Sequence, residues 1–102
     1  MSLSRILQED RRLVILRTLS EVPEFSLNEG VLKRALVDVG HPETTQEMVR
    51  ADLQFLEQST LVRLSMLQMP SGALWVATLL ERGMAVANGT RHEGVATRTP
   101  GN

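Results

Sequence analysis

The sequence contains no cysteine, which excludes disulfide bonds, thiolate metal sites and cysteine nucleophiles together. It has no tyrosine, one tryptophan and two phenylalanines, so few aromatic rings could stack on nucleic-acid bases. No apolar run reaches the roughly 18 to 20 residues that a membrane-spanning helix needs. The first residues also lack the order of regions typical of a secretory signal peptide. We therefore expect a soluble, cytoplasmic protein with no membrane partner.

Motifs for catalysis and cofactor binding are missing as well. The seven glycines are scattered and form no glycine-rich phosphate loop. No serine lies in a Gly-x-Ser-x-Gly turn. The two histidines, His41 and His92, lack the spacing of metal ligands. We predict a protein that is not an enzyme and that has neither a metal site nor a cofactor.

The composition is that of one ordinary globular domain. Hydrophobic residues make up 42% and charged residues 23% of the 102 residues, which is enough apolar material for a packed core. The formal net charge is −1, from 11 basic and 12 acidic residues. This balance gives no overall electrostatic reason to bind nucleic acid or an anionic membrane.

Apolar periodicity predicts four helices. The first is a stretch from Ser4 to about Glu21 that contains neither Gly nor Pro. The other three follow a hydroxyl residue with Glu three places later, which is the pattern of a capping box. These pairs are Ser26 and Glu29, Thr44 and Glu47, and Thr78 and Glu81. The corresponding helices are expected over residues 31–39, 45–58 and 79–87.

A β-hairpin is predicted between the third and fourth helices. Residues 61–67 and 73–78 are rich in Leu and Val and are joined by a turn that contains Pro70 and Gly72. After residue 89 no apolar pattern remains. We therefore predict a domain over residues 1–89 and a disordered tail over residues 90–102. The fold class is α+β, mainly α.

The order of three helices, a hairpin and a last helix resembles a winged helix-turn-helix domain. Residues 9–17 look like the first helix of small bacterial winged-helix regulators, and residues 49–58 look like their third helix. Residues 75–83 look like their second wing strand leading into the last helix. More narrowly, residues 3–12 and 75–83 are similar to a small family of Mu-like bacteriophage and prophage proteins of unassigned role. The resemblance implies a winged-helix fold and a phage origin, and it implies no established activity.

A DNA-binding winged helix places its third helix in the major groove of double-stranded DNA. At about 100° per residue, the outward face of the third helix carries Arg and Gln side chains, which can read guanine and adenine. The residues predicted to contact DNA are Thr45, Gln46, Arg50 and Gln54 on this helix and Lys33, Arg34 and Arg63 elsewhere. We therefore predict a DNA-binding transcriptional regulator of phage or prophage origin that uses a winged helix.

The distribution of charge weighs against this prediction but does not replace it. Residues 18–60, which include the helix-turn-helix, hold three basic and eight acidic residues. Strong DNA binders instead gather Lys and Arg on one surface. The alternative is a non-enzymatic interaction or assembly module that binds another phage protein through the same scaffold. An exposed Met69 at the tip of the hairpin would suit such a partner.

The first helix is apolar around most of its circumference, which is typical of a helix that is buried on more than one side. We predict a homodimer through Ile6, Leu13 and Leu16 of this helix. The alternative is that the helix is simply well buried in the core of its own domain. These two interpretations place the same side chains against different neighbours.

Asp52 falls on the apolar side of the third helix, where an unpaired carboxylate would be costly. We predict that Arg12 or Arg17 of the first helix pairs with it. The role of this ion pair is structural, since no second acid, nucleophile or metal ligand accompanies Asp52 in the sequence.

Overall fold

The computed structural model describes residues 2–97, and these residues form four α-helices and three antiparallel strands. The elements are α1 (Leu3–Ser20), β1 (Ser26–Asn28), α2 (Glu29–Asp38), α3 (Gln46–Gln58), β2 (Val62–Met69), β3 (Gly72–Leu79) and α4 (Glu81–Ala87). The fold is therefore α+β and mainly helical, in a winged-helix-like arrangement. Within residues 2–97, no helix is long and apolar enough to cross a membrane.

β3 lies in the middle of the sheet, with β1 on one side and β2 on the other. β2 and β3 form the predicted hairpin, in which Met69 pairs with Gly72 across a two-residue turn. β1 is an additional strand that pairs with the far end of β3. A strand of three residues is too short to show an alternating pattern, so no sequence signal predicted it.

The three predicted capping boxes are wrong in position. Two of the predicted capping hydroxyls, Ser26 and Thr78, instead hydrogen bond to each other across β1 and β3 at 3.0 Å. α2 is capped by Asn28, and α4 has no side-chain cap. α3 is capped by Thr45 and not by Thr44. A hydroxyl followed by Glu three places later can end a strand as well as begin a helix, which the local pattern cannot distinguish.

The core is formed by one face of each helix packed against the inner face of the sheet. Its fully buried aliphatic side chains include Leu13, Ile15, Leu16, Leu19, Leu36, Val49, Leu53, Leu56, Leu61 and Ala77. Leu13 and Leu16 are 0% exposed, so neither side chain can contact a second chain. This corrects their assignment to a dimer interface. Ile6, the third residue of that prediction, is 45% exposed.

The predicted tail has to be divided at residue 97. Val95 and Ala96 pack on the domain, so the predicted disorder is wrong for this part of the tail. Val95 is buried in the core, and the amide of Ala96 donates a hydrogen bond to a carbonyl of α1 at 3.1 Å. Much of this contact is made by backbone atoms, which explains why no apolar periodicity announces it. Residues 98–102, the rest of the predicted tail, lie outside the described residues.

We call residues 92–96 the C-terminal strap. The strap crosses the ring of Phe55 on α3, and His92 meets this ring edge-on with 6.3 Å between ring centres. Gly94 adopts φ +86°, and a Cβ atom at this position would overlap the Phe55 ring. The strap can therefore lie this close to α3 only because residue 94 has no side chain.

Candidate functional site

The side chain of Glu29 joins three elements of the fold. Glu29 is the first residue of α2 and is only 2% exposed. Its Oε1 accepts hydrogen bonds from Arg50 Nε at 2.6 Å and from Gln46 Nε2 at 3.0 Å. Its Oε2 accepts from Arg50 Nη2 at 2.8 Å and from the backbone amide of Trp75 at 2.7 Å. The carboxylate thus links α2 to the first turns of α3 and to β3.

Arg50 is held from three sides. Besides its two hydrogen bonds to Glu29, its Nη2 donates to the carbonyl of Ala73 at 3.0 Å. Its guanidinium also lies over the Trp75 ring, 4.6 Å from the ring centre. The side chain keeps 32% of its exposure. Arg50 therefore reaches the surface in a fixed position, with a carboxylate directly against its charge.

The electrostatics of this pair follow from its hydrogen bonds. Donation by Arg50 lowers the pKa of Glu29 from the usual 4.5 to about 2. Smaller contributions from the Trp75 amide and Gln46 are included in this value, and burial opposes them. The bond to Glu29 likewise raises the pKa of Arg50. Both groups are ionised at neutral pH, so the pair contributes no net charge to the surface.

A cleft of about 510 Å³ lies between the start of α3 and the tip of the hairpin. Its lining includes Gln46, Met69 and Ser71. The only ionisable groups among its lining residues are Glu29 and Arg50, which are bound to each other. The cleft can offer amide and hydroxyl hydrogen bonds, and its lining has no unpaired acid or base.

The other residues predicted to contact DNA are spread over the surface. Thr45 caps α3 by accepting a hydrogen bond from the Met48 amide at 3.1 Å. The side chains that remain exposed are those of Gln54, Lys33, Arg34 and Arg63. The structure thus gathers only Gln46 and Arg50 into one site. On the same helix, Glu47 and Glu57 are exposed and acidic.

Asp52 is fully buried and pairs with two arginines of α1. Its Oδ2 accepts from Arg11 Nε at 2.9 Å, and its Oδ1 accepts from Arg12 Nε at 3.0 Å. Arg12 is one of the two partners predicted from the sequence. The other, Arg17, does not pair with Asp52 and instead donates to the carbonyl of Ala87 at 3.3 Å. Arg11 was missed, since neighbouring residues on a helix normally face different directions.

Arg12 also connects Asp52 to the C-terminal strap. Its Nη1 donates to the carbonyl of Gly94 at 3.0 Å, and its guanidinium stacks on Phe55 at 3.8 Å from the ring centre. No sequence pattern indicated this connection, since the two residues joined by the hydrogen bond are 82 positions apart.

The hairpin presents a different kind of surface. No charged residue occurs from Leu64 to Leu80. Met66, Leu67 and Met69 of β2 are 47%, 52% and 47% exposed, and we call these three residues the wing surface. The predicted exposure of Met69 is confirmed. A charge-free stretch with large exposed apolar side chains is suited to contact with another protein.

The ring of His41 contacts a carboxylate of the first helix. Its Nε2 lies 2.7 Å from the carboxylate of Asp10 on α1. Among residues 2–97, no group of three His, Asp or Glu side chains could hold a metal ion.

No protein-family model matches the chain. Over 96 residues it is 38% identical to the uncharacterized protein gp26 of Escherichia phage Mu, and the match covers 93% of this chain and 94% of the phage protein. Over 68 residues it is 34% identical to an uncharacterized protein of Haemophilus influenzae strain Rd, covering 67% of this chain and 65% of that protein. The chain therefore belongs to the family of the phage Mu protein gp26.

Proposed function

We propose that this chain is a non-enzymatic phage protein that acts by binding other protein chains through its winged-helix-like scaffold. The observation that supports this proposal most is that Glu29 binds two side chains on the outward face of α3. These are Gln46 and Arg50, the residues best placed to read bases, and both already form hydrogen bonds within the fold.

The geometry of Arg50 shows why this matters. Arginine reads guanine through two parallel N–H groups, which form a fork. In this structure Arg50 uses the Nε and Nη2 fork for Glu29, and Nη2 also donates to the carbonyl of Ala73. Nη2 belongs to both pairs of parallel N–H groups that an arginine can offer, so both pairs are already engaged. Releasing Arg50 toward DNA would leave a buried carboxylate unpaired, which costs several kcal/mol.

Pairing of cations with buried carboxylates also weakens any attraction to phosphates. Arg11, Arg12 and Arg50 pair with the buried carboxylates of Asp52 and Glu29. These three residues are taken from a total of 11 basic residues. Phosphate contacts supply most of the non-specific affinity of DNA-binding proteins, so this surface is poorly equipped for it.

The wing surface supplies the positive argument for a protein partner. Met and Leu side chains bury apolar area in protein contacts, and Met adapts to irregular surfaces. In contrast, a wing that touches the DNA backbone needs cations, and Arg63 at the base of β2 is the only charged residue of that strand.

A matched pair of variants in a Mu-like prophage that carries this gene tests the proposal. Leu67→Lys places a charge on the wing surface, and Val39→Lys makes the same change at an exposed position at the end of α2. We expect Leu67→Lys to lower the yield of phage after induction and Val39→Lys to leave it unchanged. Equal yields from wild type and both variants would contradict a role for the wing surface.

DNA binding in transcriptional regulation is the second candidate. The winged-helix-like arrangement favours it, together with the exposed positions of Gln54, Lys33, Arg34 and Arg63. A pair of substitutions tests this candidate by its pattern of loss. If the protein reads DNA, Arg50→Ala should remove sequence preference, and Arg63→Ala should weaken binding to all sequences alike. Binding that neither substitution changes would refute the assignment of these residues.

A further inference from the structure

β2 is an edge strand, because the order of the sheet is β1, β3, β2. Exposed edges can pair with another strand, and proteins usually protect them with charges, proline, bulges or a covering element. In β2, Arg63 is followed by six uncharged residues up to Met69. The far half of this edge therefore lacks the charges that normally prevent pairing.

The register of the hairpin shows which backbone groups face outward. Met69 and Gly72 close a two-residue turn, and such a closing pair exchanges both of its hydrogen bonds. Hydrogen-bonded and non-hydrogen-bonded pairs alternate along an antiparallel ladder. Leu64, Met66 and Gln68 therefore direct their N–H and C=O groups away from β3.

Two features bracket the free part of this edge. The outward amide of Leu64 donates to the Glu57 carboxylate at 3.2 Å, so Glu57 protects the near half of the strand. At the far end, Pro70 has no amide hydrogen. The outward groups of Met66 and Gln68 remain between these two points, in the most exposed part of the hairpin.

We infer that this edge binds β2 of a second copy of the chain, in an antiparallel register that places Leu67 opposite Leu67. In this register Met66 of one chain exchanges backbone hydrogen bonds with Gln68 of the other, and the two-fold axis repeats the exchange. Leu64 then faces Pro70. The amide of Leu64 is already bound to Glu57, and Pro70 has no amide hydrogen. This pair therefore leaves no amide hydrogen without an acceptor.

The side chains agree with the same register. Both strands are uncharged over the paired segment, so neither buries an unpaired charge. Leu67 is exposed and sits across the hairpin from Leu74, on the sheet face that is turned away from the core. Two-fold pairing brings the two Leu67 side chains together and extends this apolar strip across both sheets.

This dimer rests on the proposed function, since it names a second copy as one partner of the wing surface. The paired segment is short, so the contact falls in the class of small, weak interfaces. We therefore expect an equilibrium between monomer and dimer that depends on protein concentration.

The test is sedimentation equilibrium of the full chain at concentrations up to about 1 mM, which covers weak association. We expect wild type and Val39→Lys to dimerise as concentration rises. Leu67→Lys and Leu67→Glu should each stay monomeric, because like charges would face each other across the two-fold axis. An equimolar mixture of these two variants should dimerise, since opposite charges then meet at that position.

A second measurement tests the pairing of the β2 edge directly in the wild-type protein. Amide hydrogen exchange of Met66 and Gln68 should slow as protein concentration increases, while exchange of the Leu64 amide should not. A monomeric wild type at all concentrations would overturn the inference, as would a dimer that survives Leu67→Lys. DNA binding by the protein would refute the proposed function and would leave this result unaffected, so the two failures are distinguishable.

Discussion

Two buried carboxylates, Glu29 and Asp52, connect the three long helices at the level of single residues. Asp52 of α3 binds two arginines of α1, and Glu29 of α2 binds Arg50 of α3. The burial of Asp52 could be predicted, because its neighbours on the helix face are apolar. The role of Glu29 could not, since an acidic residue in the first turn of a helix is ordinarily exposed and complements the helix dipole.

Replacement of Asp52 should be strongly destabilising. Asp52→Asn removes the charge that compensates Arg11 and Arg12, whose side chains are each 9% exposed. We expect the free energy of unfolding to fall by about 3 to 5 kcal/mol in urea denaturation. Glu47→Gln, an exposed change of the same charge on the same helix, should alter it by less than about 0.5 kcal/mol. Similar effects of the two substitutions would contradict the buried network.

The lowered pKa of Glu29 predicts a specific acid sensitivity. A carboxyl with a pKa near 2 in the folded state and 4.5 in the unfolded state stabilises the fold above pH 4.5. This contribution disappears as the pH falls from about 4.5 to about 2, and its full size is about 3 kcal/mol. The stability difference between wild type and Glu29→Gln should therefore shrink over that range in urea unfolding. A difference that does not change with pH would show that the carboxylate is not held as described.

At the scale of elements, the periodic parts of the chain were predictable and the aperiodic parts were not. The predicted first and third helices agree with α1 and α3 to within a residue or so, and the hairpin was placed correctly. β1 and the C-terminal strap were missed. Both are short and are held partly through backbone hydrogen bonds, which leave no pattern in the order of side chains.

The strap gives a prediction at this scale. Gly94→Ala forces a side chain into the Phe55 ring and places alanine at φ +86°. Gly40→Ala is the matched control, because Gly40 has φ +120° and open space where its Cβ would lie. We expect Gly40→Ala to lower the free energy of unfolding by about 1 kcal/mol through backbone strain alone, and Gly94→Ala to lower it by more. The Ala96 amide should also lose protection from hydrogen exchange in Gly94→Ala. Equal losses of stability in the two variants, with unchanged exchange of the Ala96 amide, would contradict the packing of the strap.

At the scale of the whole molecule, the fold class could be predicted from the order of elements. The hydrogen-bond partners of the surface side chains could not. The sequence places Gln46 and Arg50 on the outward side of the third helix, and the structure does leave them at the surface. Only tertiary contacts show that Glu29, from another helix, already occupies their hydrogen-bonding groups. A helical projection of α3 alone cannot reveal a partner that comes from α2.

The most direct test of this account is fluorescence anisotropy with random duplex DNA at about 50 and 200 mM salt. A protein with several phosphate contacts loses orders of magnitude in affinity over this range. Since Arg50 is bound to Glu29 and the exposed part of α3 is acidic, we predict no binding at the lower salt concentration. Binding that is strong at about 50 mM and lost at about 200 mM would contradict the account and identify the domain as a DNA-binding protein.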